Sequence, residues 1–460
     1  MIAPSTLQAT VRRRIDAGAR LAWIFADRVG SEAILCYVIE EGGKLQTLSG
    51  PVFESVRSLA VGLPAAAWYE REISERWSVR FENLPPNPPL TTVLPAERLR
   101  FVDSSEVSTL LYGPVRSGIV ESVRWVVETA GEDFISVYPS MWLKHRGLEA
   151  RFVNVPIALA PYVAEHVSGA SASSHAAAFC RATEMLLGIE ASERARAARA
   201  VLVEFERIHQ HLDSLAKLAE DASLSVGSAQ MFAAKERVHR LLCEATGNRF
   251  ARGSICVGGT RFDVFERLRQ TCVRELDGLQ KHALSAVDRL VSTQSLMDRL
   301  IGTGTIAHDD AAAAGAVGPT ARGSGVSCDV RARDGYLFTP LDSREALEGG
   351  GDAAARTLVR VAEIRRSFQL VRNALDANPG GPHCTSARPT DGEAVARVES
   401  PQGELLYFVR IESGAIARVA VRGASFANWP LFIPSLRGNI FTDFSFIEHS
   451  FGALQSEVDR

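Results

Sequence analysis

The stretch Ala164-Glu-His-Val-Ser-Gly-Ala-Ser-Ala-Ser-Ser-His-Ala-Ala-Ala-Phe-Cys180 decides how the rest of the chain is read. Two serines, Ser168 and Ser171, stand three residues apart, and His175 follows four residues later. Ser168, Gly169 and Ala170 are small, so another backbone can approach closely. Glu165 and His166 place titratable groups just ahead of them. A serine hydroxyl is a hard, weakly acidic oxygen, and the soft metals that thiolate sulfur holds do not favour it.

Downstream, long helical patterns follow. In 192–219, Val201, Leu202, Phe205, Ile208, Leu212 and Leu215 recur at spacings of three and four, with Ser192 as N-cap. Similar stripes run through 229–246, 261–300 and 343–376, and such amphipathic helices pack as a bundle. His209 and His211 lie two apart on the first of these helices, which predicts one core and one surface histidine. Gly258-Gly259 ahead of Asp263 reads as a tight turn and a helix start. Composition alone makes the Gly- and Ala-rich stretch 302–328 a flexible linker. Residues 394–430 read as strands with a hairpin turn at Glu412-Ser-Gly-Ala.

Upstream, Tyr112-Gly-Pro-Val-Arg-Ser-Gly-Ile-Val-Glu121 opens a strand-rich segment. Residues 5–98 form a first unit in which Leu21-Ala-Trp-Ile-Phe and Ala33-Ile-Leu-Cys-Tyr-Val-Ile alternate with turn residues. It ends in a helix from Trp68 and a connector with prolines at 85, 86, 88 and 89, which cannot donate backbone hydrogen bonds. The predicted fold class is α+β: a small α/β domain over 1–98, then a helical bundle with flanking β segments over 99–460.

The 460 residues are 46% hydrophobic and 23% charged, enough for a sizeable core. A net charge of −3 gives no broad basic surface, so no nucleic-acid partner is expected. Met1-Ile-Ala-Pro-Ser-Thr has no basic region leading into an apolar core, so no signal peptide is expected. No apolar window of about 18 residues spans a bilayer. Cysteines 36, 180, 243, 256, 272, 328 and 384 form no C-x-x-C pair. They read as scattered buried thiols in a reducing compartment, and no iron–sulfur cluster is expected on this chain.

Several stretches resemble two related families. The Ser168 segment is similar to the E-R-V-C-G-I-C-x-x-x-H stretch of nickel–iron hydrogenase large subunits, with Ser168 and Ser171 at the two cysteine positions. Trp68-Tyr-Glu-Arg-Glu-Ile through Pro89-Leu90 resembles a signature of the C-type subunit of complex I, departing from it at Asn83-Leu84. Lys144-His-Arg-Gly-Leu-Glu149 resembles K-H-R-G-x-E of membrane-bound hydrogenases, and Glu204-Phe-Glu-Arg-Ile-His-Gln-His-Leu212 the E-x-x-R-I-x-x-H-L helix. Gly302-Thr-Gly-Thr-Ile, Gly318-Pro-Thr-Ala-Arg-Gly-Ser-Gly325 and Asp329-Val-Arg331 resemble a shared block, which makes 302–328 an ordered loop instead of a linker. Glu399-Ser-Pro-Gln-Gly-Glu404 and the Glu457-Val-Asp-Arg460 tail, the latter similar to the ending of the D-type subunit of complex I, complete the series in family order. A C-type unit fused to a D-type unit is the arrangement of the large subunits of group 4 membrane-bound hydrogenases of the hydrogenase-4 and formate hydrogenlyase type.

The departures define the expectations. Leu454 and Glu457 stand where the second cysteine pair of the hydrogenases would be, and Gln402 replaces their arginine. With all four thiolates absent, no metal site is expected, and the chain is not a nickel–iron hydrogenase by itself. The tyrosine that helps complex I hold quinone is missing from the Ser168-Gly169 position, and the loop that would supply its histidine offers Arg116. Quinone is therefore unsupported. Arg116, Lys144, His145, Arg146, Glu165, His166, His175 and Glu457 are expected to cluster, with His145, Arg116, His175 and Glu165 as candidate cavity or proton-path residues.

What the resemblance implies is a metal-free large peripheral subunit of a membrane-bound redox complex. It would lie on the cytoplasmic side of the membrane beside a small iron–sulfur subunit like the B-type one of complex I, with antiporter-like membrane subunits. The bland alternative is a non-catalytic scaffold in which salt bridges replace metal coordination. A stand-alone enzyme is disfavoured by the lack of any self-contained cofactor motif.

Overall fold

The structure is a computed structural model that describes residues 4–30, 32–52, 55–86, 89–95, 102, 104–116, 121–334, 346–386 and 388–460. The first unit is built on an antiparallel sheet of strands Arg20–Val29, Glu32–Glu41 and Lys44–Pro51 in sequence order. Its aromatic and β-branched runs pair Ile24 with Tyr37 and Phe25 with Cys36. Helices Pro4–Asp16 and Ala67–Trp77 pack on this sheet. The proline-rich connector is fastened by Glu75, whose carboxylate accepts the Leu90 and Thr91 N–H groups at 2.8 and 2.7 Å. Pro88, and residues 98 and 99 at the expected domain boundary, lie outside the described residues.

A second antiparallel sheet, Ser108–Tyr112, Arg124–Ala130 and Asp133–Ser140, leads into the bundle. Helix Glu193–Asp221 is its axis. Ser192 accepts the Ala195 N–H at 3.1 Å, as the N-cap reading requires. Helices Ala172–Leu187, Ser225–Thr246, Val264–Val291, Ala353–Ala377 and Phe444–Phe451 pack around the axis. His209 and His211 are therefore both buried; the expectation of one surface histidine fails because this helix has neighbours on every side. The expected 343–376 helix begins only at Ala353, where the Asp352 carboxylate accepts the Ala355 N–H, and residues 343–345 lie outside the described residues. The Gly/Ala-rich stretch is ordered and carries short helices His308–Ala313 and Gly318–Gly323. The C-terminal strands are Gly392–Ser400, Gly403–Glu412 and Ala415–Arg422, with the hairpin turn at Glu412–Ala415. The fold is α+β.

The apolar core of the first unit runs on into the later sheets. Phe25 meets Phe408 at 4.8 Å between ring centres, and Tyr69 stacks on Phe426 at 5.4 Å. Ion pairs cross the same seam: Arg20 with Glu404 at 2.7 Å, Glu40 with Arg397 at 2.7 Å, and Arg460 with Glu72. Among the described residues no helix is long and apolar enough to cross a membrane.

Candidate functional site

The Ser168 loop and the C-terminal tail meet. Ser168 is buried in extended conformation, and its hydroxyl lies 3.2 Å from that of Ser456. Arg146 ties the two segments together, donating to the carbonyls of His166 and Val167 at 2.6 and 2.7 Å and to that of Ser456 at 3.1 Å. The tail is held at further points. Glu121 accepts the Ser456 N–H at 3.0 Å, and the Leu454 N–H donates to the Ser425 hydroxyl at 2.9 Å. Asp459 accepts the N–H groups of Trp142 and Lys144 at 2.9 and 3.0 Å, and His145 Nδ1 donates to the Asp459 carbonyl at 2.6 Å. A Cβ added at Gly423 would lie 2.5 Å from Glu457 Cβ, so only glycine admits the tail this closely.

At the centre of the contact, fully buried Glu457 directs Oε1 at His175 Nε2, 3.6 Å away and slightly beyond hydrogen-bond reach. Its Oε2 accepts the Ser425 N–H at 2.9 Å, and His175 Nδ1 meets the Tyr407 hydroxyl at 2.9 Å. Burial raises the Glu457 carboxyl, but His175 and Ser425 outweigh it and hold the group below the usual carboxylate range. Glu457 Oε1, His175 Nε2 and Ser171 Oγ are buried with no hydrogen-bond partner among the described residues. Beside them, a small cleft of about 90 Å³ is lined by Arg116, Glu121, Glu448, Leu454 and Gln455 among others.

A second buried cluster lies on the Glu204–His211 face of the axial helix. Arg322 meets Glu363 and, at 2.9 Å, Glu399. His211 Nε2 donates to Glu363 at 2.7 Å, while its Nδ1 accepts from Arg360 at 3.2 Å, which fixes a neutral imidazole. Burial, aided by Arg360 and Arg207 and opposed by Glu363, brings His211 down to about 4. Glu204 pairs with Arg207 and Arg331 at 3.2 and 3.1 Å. Among the described residues Arg360 has no carboxylate in hydrogen-bond contact. It donates to Gln402 Oε1 at 3.3 Å and to the Phe451 carbonyl at 2.6 Å, and burial lowers it to about 10. Gln402 thus accepts from a cation supplied by the 353–377 helix.

The expected cluster is only partly assembled. His175 and Glu457 come together, and His145 and Arg146 clasp the tail. Lys144, His145, Arg146 and His166 are nevertheless exposed, because the 144–147 turn lies over the tail and not beneath it. Arg116 is drawn away by Glu448 in a two-pronged pair at 2.8 Å. Glu165 is buried apart from the tail and accepts the Gly253 N–H at 2.8 Å; burial pushes it up to about 7 against the pull of that N–H, Arg252 and Arg261. Ser117 and Gly118 of the loop after Arg116 lie outside the described residues. Sequence reading missed Tyr407, Arg360 and Glu363. Arg356, Arg360 and Glu363 on an otherwise apolar face of the 353–377 helix were the available signal.

Residues 223–391 and 383–460 match the family described as respiratory-chain NADH dehydrogenase, 49 Kd subunit. The chain is 29% identical to the carbon monoxide-induced hydrogenase of Rhodospirillum rubrum, over 76% of this chain and 99% of that one. It is 27% identical to formate hydrogenlyase subunit 5 of Escherichia coli K12, over 88% and 76%, respectively. Against a D-type subunit of the NADH-quinone oxidoreductase of Anaeromyxobacter sp. strain K the identity is 31%, over 79% and 99%. The axial helix, the paired charges around it and these matches together assign the chain to the family of the 49 Kd subunit of respiratory-chain NADH dehydrogenase.

Proposed function

We propose that the chain is a nickel-free large peripheral subunit of a membrane-bound redox complex related to complex I and the energy-converting hydrogenases. It packs against a small iron–sulfur subunit through the loops around Gly113–Arg116 and Val167–His175, on the cytoplasmic side of antiporter-like membrane subunits. One observation carries the reading. The loop and tail that would hold the family's metal meet here, but the four ligand positions offer hydroxyls at Ser168 and Ser171, an alkyl group at Leu454 and a carboxylate at Glu457. That carboxylate already accepts the Ser425 N–H through one oxygen, and its other oxygen lies 3.6 Å from His175 Nε2. Two hard hydroxyls, one carboxylate and no thiolate do not suit nickel. Quinone finds no recognisable pair either, since Arg116 is committed to Glu448.

The chain's own contribution is to hold protons close to the partner's cluster. Burial raises Glu121 and Asp459 above their ordinary values, and Glu165 sits at about 7, so Glu165 exchanges a proton near neutral pH. Proton movement among them is the chain's part in coupling electron transfer to ion translocation. Purification of the intact complex, with mass spectrometry and metal analysis, tests the reading. A small subunit carrying cluster iron, with nickel far below one per chain, supports it. Near-stoichiometric nickel overturns the nickel-free assignment, and a complex without any cluster-carrying subunit favours a scaffold.

A further inference from the structure

Away from the loop–tail site, two half-buried cysteines 128 residues apart in sequence lie side by side. Cys256 and Cys384 have their sulfurs 3.8 Å apart. The segments that carry them are paired as antiparallel backbone: Thr260 N–H donates to His383 O at 2.8 Å, and Thr385 N–H to Gly258 O at 3.0 Å. Two glycines make that pairing close. A Cβ at Gly258 would fall 1.7 Å from Thr385 O, and one at Gly259 2.0 Å from His383 O. The approach is therefore built into the backbone. Bond formation needs the sulfurs to close from contact to about 2.05 Å.

We propose that Cys256 and Cys384 are a modification site: a reversible disulfide forms between them when the chain meets a low-molecular-weight disulfide such as oxidised glutathione. The Cys384 thiolate attacks one sulfur of the oxidant, forming a mixed disulfide and releasing one thiol. Cys256, after losing its proton to solvent, attacks Cys384 Sγ and displaces the second thiol. The two protein thiols lose two electrons and two protons, and the oxidant is reduced to two thiols. Burial and the neighbouring Cys384 hold the Cys256 thiol up to about 12, which makes it the resolving group.

The bond would close a loop that includes helices Val264–Val291 and Ala353–Ala377. It would also fix the strand pair that follows Gly253, the residue whose N–H holds Glu165. Cross-links of long loops restrict the unfolded chain and so stabilise the folded one. Reduction by cellular thiols reverses the step, as suits a reducing compartment.

The experiment uses the full chain, treated with oxidised glutathione and digested without reductant. Mass spectrometry should find peptides 253–261 and 373–397 joined, two hydrogens lighter than their sum, with both peptides restored by dithiothreitol. The unfolding temperature should rise by a few degrees on oxidation. Cys256→Ser and Cys384→Ser should each abolish the cross-link and the rise, while Cys243→Ser at an exposed cysteine should leave both unchanged. Glutathione remaining on Cys384, both cysteines remaining free, or a cross-link only through Cys243 would overturn the proposal.

Discussion

Around Arg322, each charged side chain has an opposite charge or a carbonyl in contact: Glu363 takes Arg322 and His211, and Arg360 takes Gln402 and the end of the 444–451 helix. Around Glu457, by contrast, a carboxylate oxygen and an imidazole nitrogen lie 3.6 Å apart, and neither they nor the Ser171 hydroxyl has a hydrogen-bond partner among the described residues. Both regions are shut off from water. The first, the closed side, is a paired support: Arg322 Nε and Arg360 Nε are unbonded there, but each of these cations is held through its other nitrogens. The second, the open side, holds buried polar atoms without hydrogen-bond partners among the described residues. Substitutions should therefore be costly in the first and mild in the second.

Arg322→Ala tests the closed side and should have the largest effect. It strands Glu363 and Glu399, both fully buried, without their shared cation. Removing one partner of a buried pair costs about 3–5 kcal/mol. A urea-unfolding midpoint should fall accordingly, or folded protein should be lost. A cost under about 1 kcal/mol, the scale of an exposed pair, would erase the contrast.

Glu165→Gln tests, through pH, a buried carboxyl that belongs to neither region. In the folded chain its carboxyl stands at about 7 against an ordinary 4.5. Between those values the folded chain keeps a proton that the unfolded chain has released, so stability is full below about 4.5, falls as pH rises, and has lost the whole contribution above about 7. The loss is on the order of 3 kcal/mol. Glu206 and Glu70, also raised to about 7 by burial, titrate in the same window. The variant should thus show a shallower fall in stability from pH 4.5 to 7, not a flat line. An unchanged slope would mean that Glu165 is ionised in the folded chain.

Much of the closed side was legible in the sequence. The 3–4 spacing of Val201 to Leu215 and the Ser192 cap located the axial helix, and Glu204, Arg207 and His211 lie on it at helical spacing. What periodicity could not convey is that this helix is enclosed on all sides, so that both His209 and His211 are interior. The open side was legible only as a meeting of distant segments. His175 with Glu457 followed from the motif order, whereas Tyr407 comes from a strand whose inward face is set by sheet register. Exposure of His145 and Arg146 was invisible because it depends on which side of the tail their turn passes. The proximity of Cys256 and Cys384 left no trace in spacing at all.

Glu457→Gln should cost less than Arg322→Ala, about 1 kcal/mol at neutral pH. The amide keeps an oxygen for the Ser425 N–H and can present its NH2 to His175 Nε2, with the imidazole donating from Nδ1 to Tyr407. Because the native carboxyl is held low, its contribution is present above about 4.5 and is lost as pH falls through its folded value. The gap between native and variant midpoints should therefore narrow in acid. A cost of about 3 kcal/mol or more would place Glu457 with the closed network.

Ser171→Ala should have the smallest effect, and its sign should oppose the others. The Ser171 hydroxyl is buried and makes no hydrogen bond among the described residues, so the native chain already bears the desolvation of that group. Alanine keeps the Cβ and removes only the oxygen. It leaves the helix Ala172–Leu187 intact, since Ser171 makes no side-chain cap bond there. An unsatisfied buried hydroxyl costs about 1–3 kcal/mol, and the void left by one oxygen offsets part of the gain. The expected result is a neutral change or a stabilisation of up to about 1 kcal/mol in the urea midpoint. A clear destabilisation would show that a bound water satisfies the Ser171 hydroxyl, which would then no longer count among the unbonded groups that set this region apart from the closed network.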